Sequence, residues 1–254
     1  MMPYIHTFNP IALQIGPLAI RWYGLVYLFG FLYAYWLAIR AKMPNMTRES
    51  IEWGYSWLVV GIIAGGRIGY FLFNQPAQFL HPWELFYIWH GGMSFHGAFI
   101  GAMLVAIIYS RKYRINIYHA SEVVLIATAL SLSLGRVANF INAELVGKVA
   151  NVPWCVIFPG YAGCRHPYQL YQAAILFLLY LIILPVWKRY RFDKPGVTFW
   201  LFFFLYGLFR LITDYWRDDP TWLLGLQMGQ WASILMMVIG LPYLLRAIRG
   251  PLAR

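Results

Sequence analysis

The sequence predicts an all-α membrane protein: a bundle of about seven transmembrane helices with the N-terminus outside and the C-terminus in the cytoplasm. Of the 254 residues, 61% are hydrophobic and 11% are charged, whereas soluble domains carry about 25% charged residues. Seven apolar runs each approach the roughly 20 residues that a membrane-spanning helix needs. The positions of Lys and Arg between these runs set the orientation.

The seven apolar runs cover 20–39, 54–73, 93–110, 122–141, 169–187, 197–215 and 229–246. Basic residues cluster after every second run, at Arg40, Lys42 and Arg48; Arg111, Lys112 and Arg114; Lys188, Arg189, Arg191 and Lys194; and Arg246, Arg249 and Arg254. Cytoplasmic loops are enriched in such residues, so these clusters are assigned to the cytoplasm. The net charge of +11 is therefore interpreted as a topology signal, and no nucleic-acid partner is expected.

The segments between the runs predict one domain, 1–254, with two outer loops at 74–92 and 142–168. Residues 1–19 contain Pro10 and Pro17 and are too short to span, so we expect them along the outer interface. The first loop has aromatic residues and no Lys or Arg, which indicates a segment at headgroup level. Those aromatic residues are Trp83, Phe86, Tyr87 and Trp89.

Two smaller patterns have a structural interpretation. The second run carries Gly61, Gly65 and Gly69 four residues apart, which is typical of a helix face that packs closely against another helix. The second outer loop holds the only cysteines, Cys155 and Cys164. On the outer side a disulfide between them is permitted, and two unpaired thiols remain the alternative.

The strongest functional signal is a set of polar residues at the end of the fourth run. Arg136, Asn139 and Asn142 are spaced by three, which places the first two on one helix face. Arginine inside a membrane costs about 3 kcal/mol or more and normally faces a cavity or a charged partner. A guanidinium beside amides suits a phosphate or carboxylate. A simple ion pair with an acid from a neighbouring helix is the alternative.

Polar side chains in four other runs are predicted to lie at the same outer depth. They are Tyr23, Arg67, His96, and a stripe of Tyr206, Arg210, Asp214 and Arg217. Their convergence favours an outward-opening site with excess positive charge, suited to a lipid phosphate. Each also has an ordinary interpretation: an interfacial histidine, an i,i+4 ion pair between Arg210 and Asp214, a membrane-belt tyrosine. Glu144, by itself, would be a solvated loop residue.

These residues lie in motifs that resemble the prolipoprotein diacylglyceryl transferase family over nearly the whole chain. The matching segments are Arg21-Trp22-Tyr23-Gly24, Gly65-Gly66-Arg67-Ile68-Gly69-Tyr70, Gly91-Gly92-Met93-Ser94-Phe95-His96-Gly97, Gly135-Arg136 through Gly147, Arg165-His166-Pro167 with Gln169-Leu170-Tyr171, Tyr206-Gly207 with Phe209-Arg210, and Met228-Gly229-Gln230. Any one of these would be weak evidence. Seven in the same order are specific.

The resemblance implies a bacterial inner-membrane enzyme with its site on the outer side. Such enzymes transfer the diacylglyceryl group of phosphatidylglycerol to the lipobox cysteine of a prolipoprotein signal peptide and release glycerol phosphate. It further implies that Arg136 and Arg210 bind phosphate, that Asn139 and Tyr206 orient the headgroup, and that His96 is the candidate base. Tyr23 and Glu144 match positions that the family needs, and Asp214, Arg67 and Gly147 are further expected substrate-binding residues. No cofactor or metal is expected.

The chain departs from the family pattern at five positions. Ala98, Ala138 and Ala143 stand where the family has Gly, and Asp214 and Gln172 stand where it has Glu. Because the principal polar residues are all present, we expect an active enzyme. The alternative hypothesis is a non-enzymatic protein that binds or transports anionic lipids, which would need a polar path to the cytoplasmic side.

Overall fold

The computed structural model describes residues 3–87 and 91–250, and this part of the chain forms seven α-helices, as predicted. Their bounds are α1 Trp22–Ala41, α2 Arg48–Asn74, α3 Phe95–Tyr113, α4 Ile117–Ile141, α5 Tyr168–Tyr190, α6 Val197–Thr213 and α7 Met228–Arg249. Six of them are long and apolar enough to cross a membrane. The exception is α3, whose 19 residues include His96 near its start and Arg111 and Lys112 in its last turn. A membrane-spanning α3 and the sidedness of both termini stay predictions.

Short strands accompany the helices, and the sequence did not predict them. They are β1 Tyr4–Ile5, β2 Ile11–Ile15, β3 Leu18–Arg21, β4 Val156–Ile157, β5 Cys164–Arg165, β6 Thr221–Leu223 and β7 Leu226–Gln227. β2–β3 and β6–β7 are antiparallel hairpins, while β1, β4 and β5 form one small sheet. Strands of two to five residues are too short to produce a recognisable alternation of apolar and polar residues.

The sheet of β1, β4 and β5 organises the loop at 142–168. β1 pairs in parallel with β4, and β4 pairs antiparallel with β5. His6 follows β1, and its Nε2 hydrogen-bonds the Phe140 carbonyl at 2.7 Å. Cys155 and Cys164 form a disulfide with their Cα atoms 5.5 Å apart. Of the two alternatives left open by the sequence, the paired one is therefore correct.

The chain divides into two compact units, and the single domain inferred from the sequence stays a prediction. The first contains Met1–Ala34 and Glu122–Arg254, and the second contains Tyr35–Ser121. In the second unit α2 and α3 pack through glycines, as predicted. A Cβ on Gly61 would lie 2.9 Å from the Gly101 carbonyl oxygen, and one on Gly69 would lie 2.7 Å from the Gly97 Cα. The backbones therefore approach too closely for any side chain.

In the first unit, α6 is positioned at its N-terminus and along its length. Glu122 of α4 is fully buried, and its Oε1 accepts hydrogen bonds from the backbone N–H groups of Gly196, at 2.8 Å, and Phe199, at 3.4 Å. These are N–H groups that a helix start leaves without internal partners. Farther along, a Cβ on Gly207 would lie 2.7 Å from the Ser233 carbonyl oxygen of α7. The later residues of α6, which carry the candidate site, are held by these contacts.

Candidate active site

A chain of hydrogen bonds connects Arg136, at the end of α4, with the turn that follows. The Arg136 Nη1 donates to Asn139 Oδ1 at 3.3 Å, and the Asn139 amide donates to Glu144 Oε1 at 2.8 Å. Asn142 donates to the same carboxylate oxygen at 3.2 Å. Because α4 ends at Ile141, Asn142 lies past the helix and reaches Glu144 from the turn. Glu144 is therefore part of the polar cluster and not a freely solvated loop residue.

An unusual backbone brings Glu144 back toward α4. Ala143 and Leu145, on either side of it, have φ angles of 55° and 54°, in the left-handed region that glycine favours. The Glu144 N–H donates to the Asn139 carbonyl at 3.1 Å. Ala143 therefore adopts a backbone conformation that costs an alanine more than it would cost a glycine.

Two buried amide oxygens, one from a glutamine and one from an asparagine, lie at this cluster without a hydrogen-bond partner in the described part of the chain. The Gln169 side chain is fully buried, and its Nε2 donates to the Glu144 carbonyl at 2.7 Å. Its Oε1 and the Asn142 Oδ1 have no hydrogen-bond partner in the described part of the chain. Buried polar atoms are normally paired, so these two oxygens leave acceptor capacity next to Glu144 that the described side chains do not use. Sequence reasoning missed Gln169, although a glutamine in the first turn of an apolar helix was a usable signal.

A second cluster surrounds Arg210 near the end of α6. The Arg210 Nε donates to Asp214 Oδ2 at 3.3 Å, and its Nη1 donates to the Tyr206 hydroxyl at 3.3 Å. Asp214 is fully buried and also accepts from the Tyr168 hydroxyl and from Gln172 at 3.5 Å. The predicted stripe is thus confirmed from 206 to 214, including the i,i+4 ion pair. The Arg210 side chain remains 28% exposed, so the ion pair does not bury it.

Gly229 fixes how closely α7 approaches this second cluster. A Cβ at this position would lie 2.8 Å from Asp214 Oδ2 and 3.0 Å from Arg210 Nη2.

Arg217, the last residue of the predicted stripe, lies beyond the helix and pairs with Asp219 at 3.0 Å. Its guanidinium is therefore engaged outside the Arg210 cluster.

Within the first unit, one tyrosine lies near both clusters and a second lies near the Arg136 cluster. The Tyr168 hydroxyl, bonded to Asp214, is within electrostatic range of Arg136. Tyr27 hydrogen-bonds Tyr23 and is within electrostatic range of both Arg136 and Glu144. Tyr23 is therefore connected with the Arg136 cluster through Tyr27, and its expected catalytic role stays a prediction.

The charge balance differs from the sequence prediction. Glu144 and Asp214 both belong to the site, so two carboxylates match the two arginines, Arg136 and Arg210. The predicted excess of positive charge is therefore wrong for this group of four. Arg136 nevertheless makes no ion pair in the described part of the chain, because Glu144 is bonded to amides instead. Its half-buried guanidinium keeps donors for an anion.

Gly147, expected to bind substrate, has a clear packing role. A Cβ there would lie 2.6 Å from the His166 carbonyl oxygen and 2.9 Å from that of Trp216. The Gly147 N–H donates to His166 at 3.2 Å, and its carbonyl accepts from Arg165 at 3.2 Å. Only glycine allows the outer loop to contact both neighbouring segments this closely. The expected substrate contact stays a prediction.

Arg67 and His96 belong to the second unit, whereas the residues described above belong to the first. Arg67 is 3% exposed, and its guanidinium donates to backbone carbonyls of Glu84, Leu85, Gly91 and Gly92. These contacts favour a role in holding the first outer loop over the predicted contact with substrate. His96 is exposed in the first turn of α3, which Ser94 caps by accepting from the Gly97 N–H at 3.3 Å. Trp89, predicted at headgroup level, lies outside the described residues.

Comparisons with known proteins agree with these motifs. A family model described as prolipoprotein diacylglyceryl transferase matches residues 10–246. A phosphatidylglycerol–prolipoprotein diacylglyceryl transferase of Geobacter sulfurreducens is 41% identical over 92% of this chain and 93% of that protein. Proteins of the same name from Bordetella bronchiseptica and Photobacterium profundum are 39% and 41% identical, each over 96% of this chain and 97% and 95% of their own lengths. Match and motifs cover nearly the whole sequence, and the chain belongs to the prolipoprotein diacylglyceryl transferase family.

Proposed function

We propose that this chain transfers the diacylglyceryl group of phosphatidylglycerol to the lipobox cysteine thiol of prolipoprotein signal peptides and releases glycerol phosphate. Membership of the family supports the activity. The observation that carries it to particular residues is the arrangement of Arg136 and Arg210 in one compact unit, each hydrogen-bonded to neighbouring side chains and each partly exposed.

Phosphate recognition falls to the two arginines. A guanidinium offers a planar fork of donors that matches phosphate oxygens, and it keeps its charge at any relevant pH. Arg136, which has no carboxylate partner in the described residues, would contribute most of the attraction. Arg210 is oriented by Asp214 and Tyr206, so its remaining donors are presented in a fixed direction. Asn139 and Tyr206 would orient the rest of the headgroup.

The reaction is a displacement at the glycerol carbon that bears the phosphate. The cysteine sulfur forms a C–S bond to that carbon, the C–O bond to phosphate breaks, and its electron pair leaves on the phosphate oxygen. The thiol has a pKa near 8.5 and needs a base or a positive field to form the thiolate. The candidate base is His96, since an imidazole nitrogen is a common acceptor for the proton of a thiol. The arginines stabilise the charge that develops on the departing phosphate.

The proposed location is the bacterial cytoplasmic membrane, with the site facing its outer side. The six long apolar helices support a location in a membrane, and the bacterial relatives support a bacterial membrane. Two observations support the sidedness. The disulfide of Cys155 and Cys164 lies in the loop next to the site, and disulfides persist in oxidising compartments such as the periplasm. The basic clusters follow the opposite ends of the helices.

The test is a transfer assay with purified protein, phosphatidylglycerol and a lipobox peptide, followed by mass spectrometry of the thioether product. We expect Arg136→Gln and Arg210→Gln each to lower the rate about 100-fold or more, the usual cost of removing a group that stabilises developing negative charge. Arg189→Gln is the matched control, because that side chain is 71% exposed and lies at the far end of α5.

Two results would contradict the proposal. Product formation by both site variants at the wild-type rate would show that the reaction does not need the two arginines. Movement of lipid across liposomes without any thioether product would support the alternative of a lipid-transport protein.

A further inference from the structure

A cavity of about 190 Å³ lies between α5, α6 and α7, within the first compact unit. Its walls are mostly aliphatic, with Val186 from α5, Leu201 from α6, and Leu244 and Ile248 from α7. Two lining side chains carry polar groups, Tyr190 and Lys194. The cavity is therefore an apolar space with one fixed cation in its wall.

The cavity is far from the candidate active site. Helix α5 begins at Tyr168, which bonds Asp214, and ends at Tyr190, which lines the cavity. The two tyrosines are 22 positions apart, which corresponds to about 33 Å along a helix, close to the thickness of a bilayer's hydrocarbon core. The two places are at opposite ends of the same helices, so the cavity is not an extension of the active site.

The surroundings of the cavity are strongly basic. The Lys194 ammonium donates to the Ile248 carbonyl and, with three donors available to an ammonium group, can bind a further acceptor. The neighbouring helix ends add more basic residues: Lys188, Arg189, Arg191, Arg246 and Arg249. Among the described residues, two acids lie near these segments: Asp193, which pairs with Arg189 at 3.6 Å, and the buried Glu122, which accepts from backbone N–H groups at the start of α6. Positive charge therefore exceeds negative charge around an apolar opening.

We propose that this cavity binds one anionic phospholipid, with part of an acyl chain against the aliphatic walls and the phosphate at Lys194. Basic pockets between transmembrane helices have the chemistry to hold anionic headgroups, and the lysine supplies a compact charge of the kind that binds phosphate. This lipid is distinct from the substrate molecule bound beside Arg136. The inference does not depend on the transfer reaction.

Native mass spectrometry can count the lipids retained by the intact, detergent-solubilised protein after incubation with phosphatidylglycerol. We expect Lys194→Met to retain one phosphatidylglycerol fewer than wild type, because methionine keeps the apolar stem and removes the charge. Lys188→Met is the matched control and should retain the wild-type number, since Lys188 is exposed and does not line the cavity. Ile248→Trp, which fills the cavity and keeps the charge, should also lose one lipid. The same count with phosphatidylethanolamine should not differ between wild type and Lys194→Met.

The outcomes separate this site from the active site. Arg136→Gln should lose a different lipid, so the double variant with Lys194→Met should lose two. Equal retention of phosphatidylglycerol by wild type, Lys194→Met and Ile248→Trp would overturn the proposal. Equal loss of both lipid types from Lys194→Met would also overturn it, because the cavity would then not select for charge.

Discussion

The two arginines of the site are held in different ways. Arg210 has a carboxylate on one side and a phenol on the other, so its orientation is set before any ligand arrives. Arg136 is held by one amide oxygen, and it can turn toward an anion at little cost. Asp214 connects the first arrangement to α5, because it also accepts from Tyr168 and Gln172.

Asp214→Asn tests how much this buried carboxylate contributes. The change leaves the Arg210 charge without its partner and is expected to lower the free energy of unfolding by roughly 1–3 kcal/mol, the usual cost of an unsatisfied buried group, together with a loss of transfer activity. Chemical denaturation in detergent and the peptide assay measure the two effects.

The control for this prediction is Asp193→Asn. Asp193 is 68% exposed and pairs with the exposed Arg189 at 3.6 Å, and such surface pairs contribute about 0–1 kcal/mol. Equal stability losses in the two variants would show that burial of Asp214 has no energetic consequence.

Sequence spacing was sufficient for contacts inside one helix and insufficient elsewhere. Arg210 and Asp214 are four residues apart on a helix, so their ion pair follows from helix geometry alone. Glu144 returns to Asn139 because its two neighbours adopt left-handed backbone conformations, although neither is a glycine. No local sequence pattern predicts that turn. Gln169 meets Glu144 from another helix, which requires knowledge of the tertiary structure.

At the scale of elements, the loop at 142–168 behaves as a small folded structure attached to the helices. Its Val146, Val156 and Phe158 form a hydrophobic cluster with Phe140 of α4. The loop also contains the disulfide. His166 lies at its end, where Nδ1 hydrogen-bonds the Tyr171 hydroxyl at 3.1 Å.

The pH dependence of this loop follows from His166. Burial lowers the pKa of its imidazole below the ordinary value, so the folded loop favours the neutral ring. The unfolded chain then binds more protons as the pH falls through about 6.5, and stability is lost from there downward. We expect the protection factors of the amides in 142–168, which are exchange rates corrected for the intrinsic effect of pH, to fall between pH 7 and pH 5, and to fall less in His166→Gln. The same pH response in both proteins would contradict this assignment.

The helices themselves were predictable because long apolar runs dominate the sequence. The residues at which the helices begin were harder to predict. α2 begins at Arg48, six residues before the predicted run at 54, because Thr47 caps it and accepts from the Ser50 N–H at 3.2 Å. A polar first turn outside the apolar run is invisible to a hydrophobicity criterion. Cap residues, not apolar content, determined that boundary.

At the scale of the whole molecule, orientation in the membrane is the property with the widest consequences. The two native cysteines are joined in a disulfide, so an introduced cysteine is the reactive thiol. Leu224→Cys places a thiol at the β6–β7 turn, where the side chain is 82% exposed. Lys188→Cys places a thiol in the last turn of α5, at the end of that helix away from the candidate site.

The expected result is that a membrane-impermeant maleimide applied to spheroplasts labels Leu224→Cys, whereas Lys188→Cys is labelled only after permeabilisation. The basic clusters and the disulfide both favour this orientation. Labelling of Lys188→Cys in intact spheroplasts would reverse the topology and place the proposed site on the cytoplasmic side.

The short sequence distances inside each polar cluster bear on how the chain enters the bilayer during synthesis. Arg136 meets Asn139 three residues later, and Arg210 meets Asp214 four residues later. Each helix can therefore leave the translocation machinery with its own arginine already hydrogen-bonded, before its eventual neighbours have been translated. Because an unpartnered arginine in lipid is costly, this pre-pairing lowers the barrier to inserting α4 and α6 one at a time.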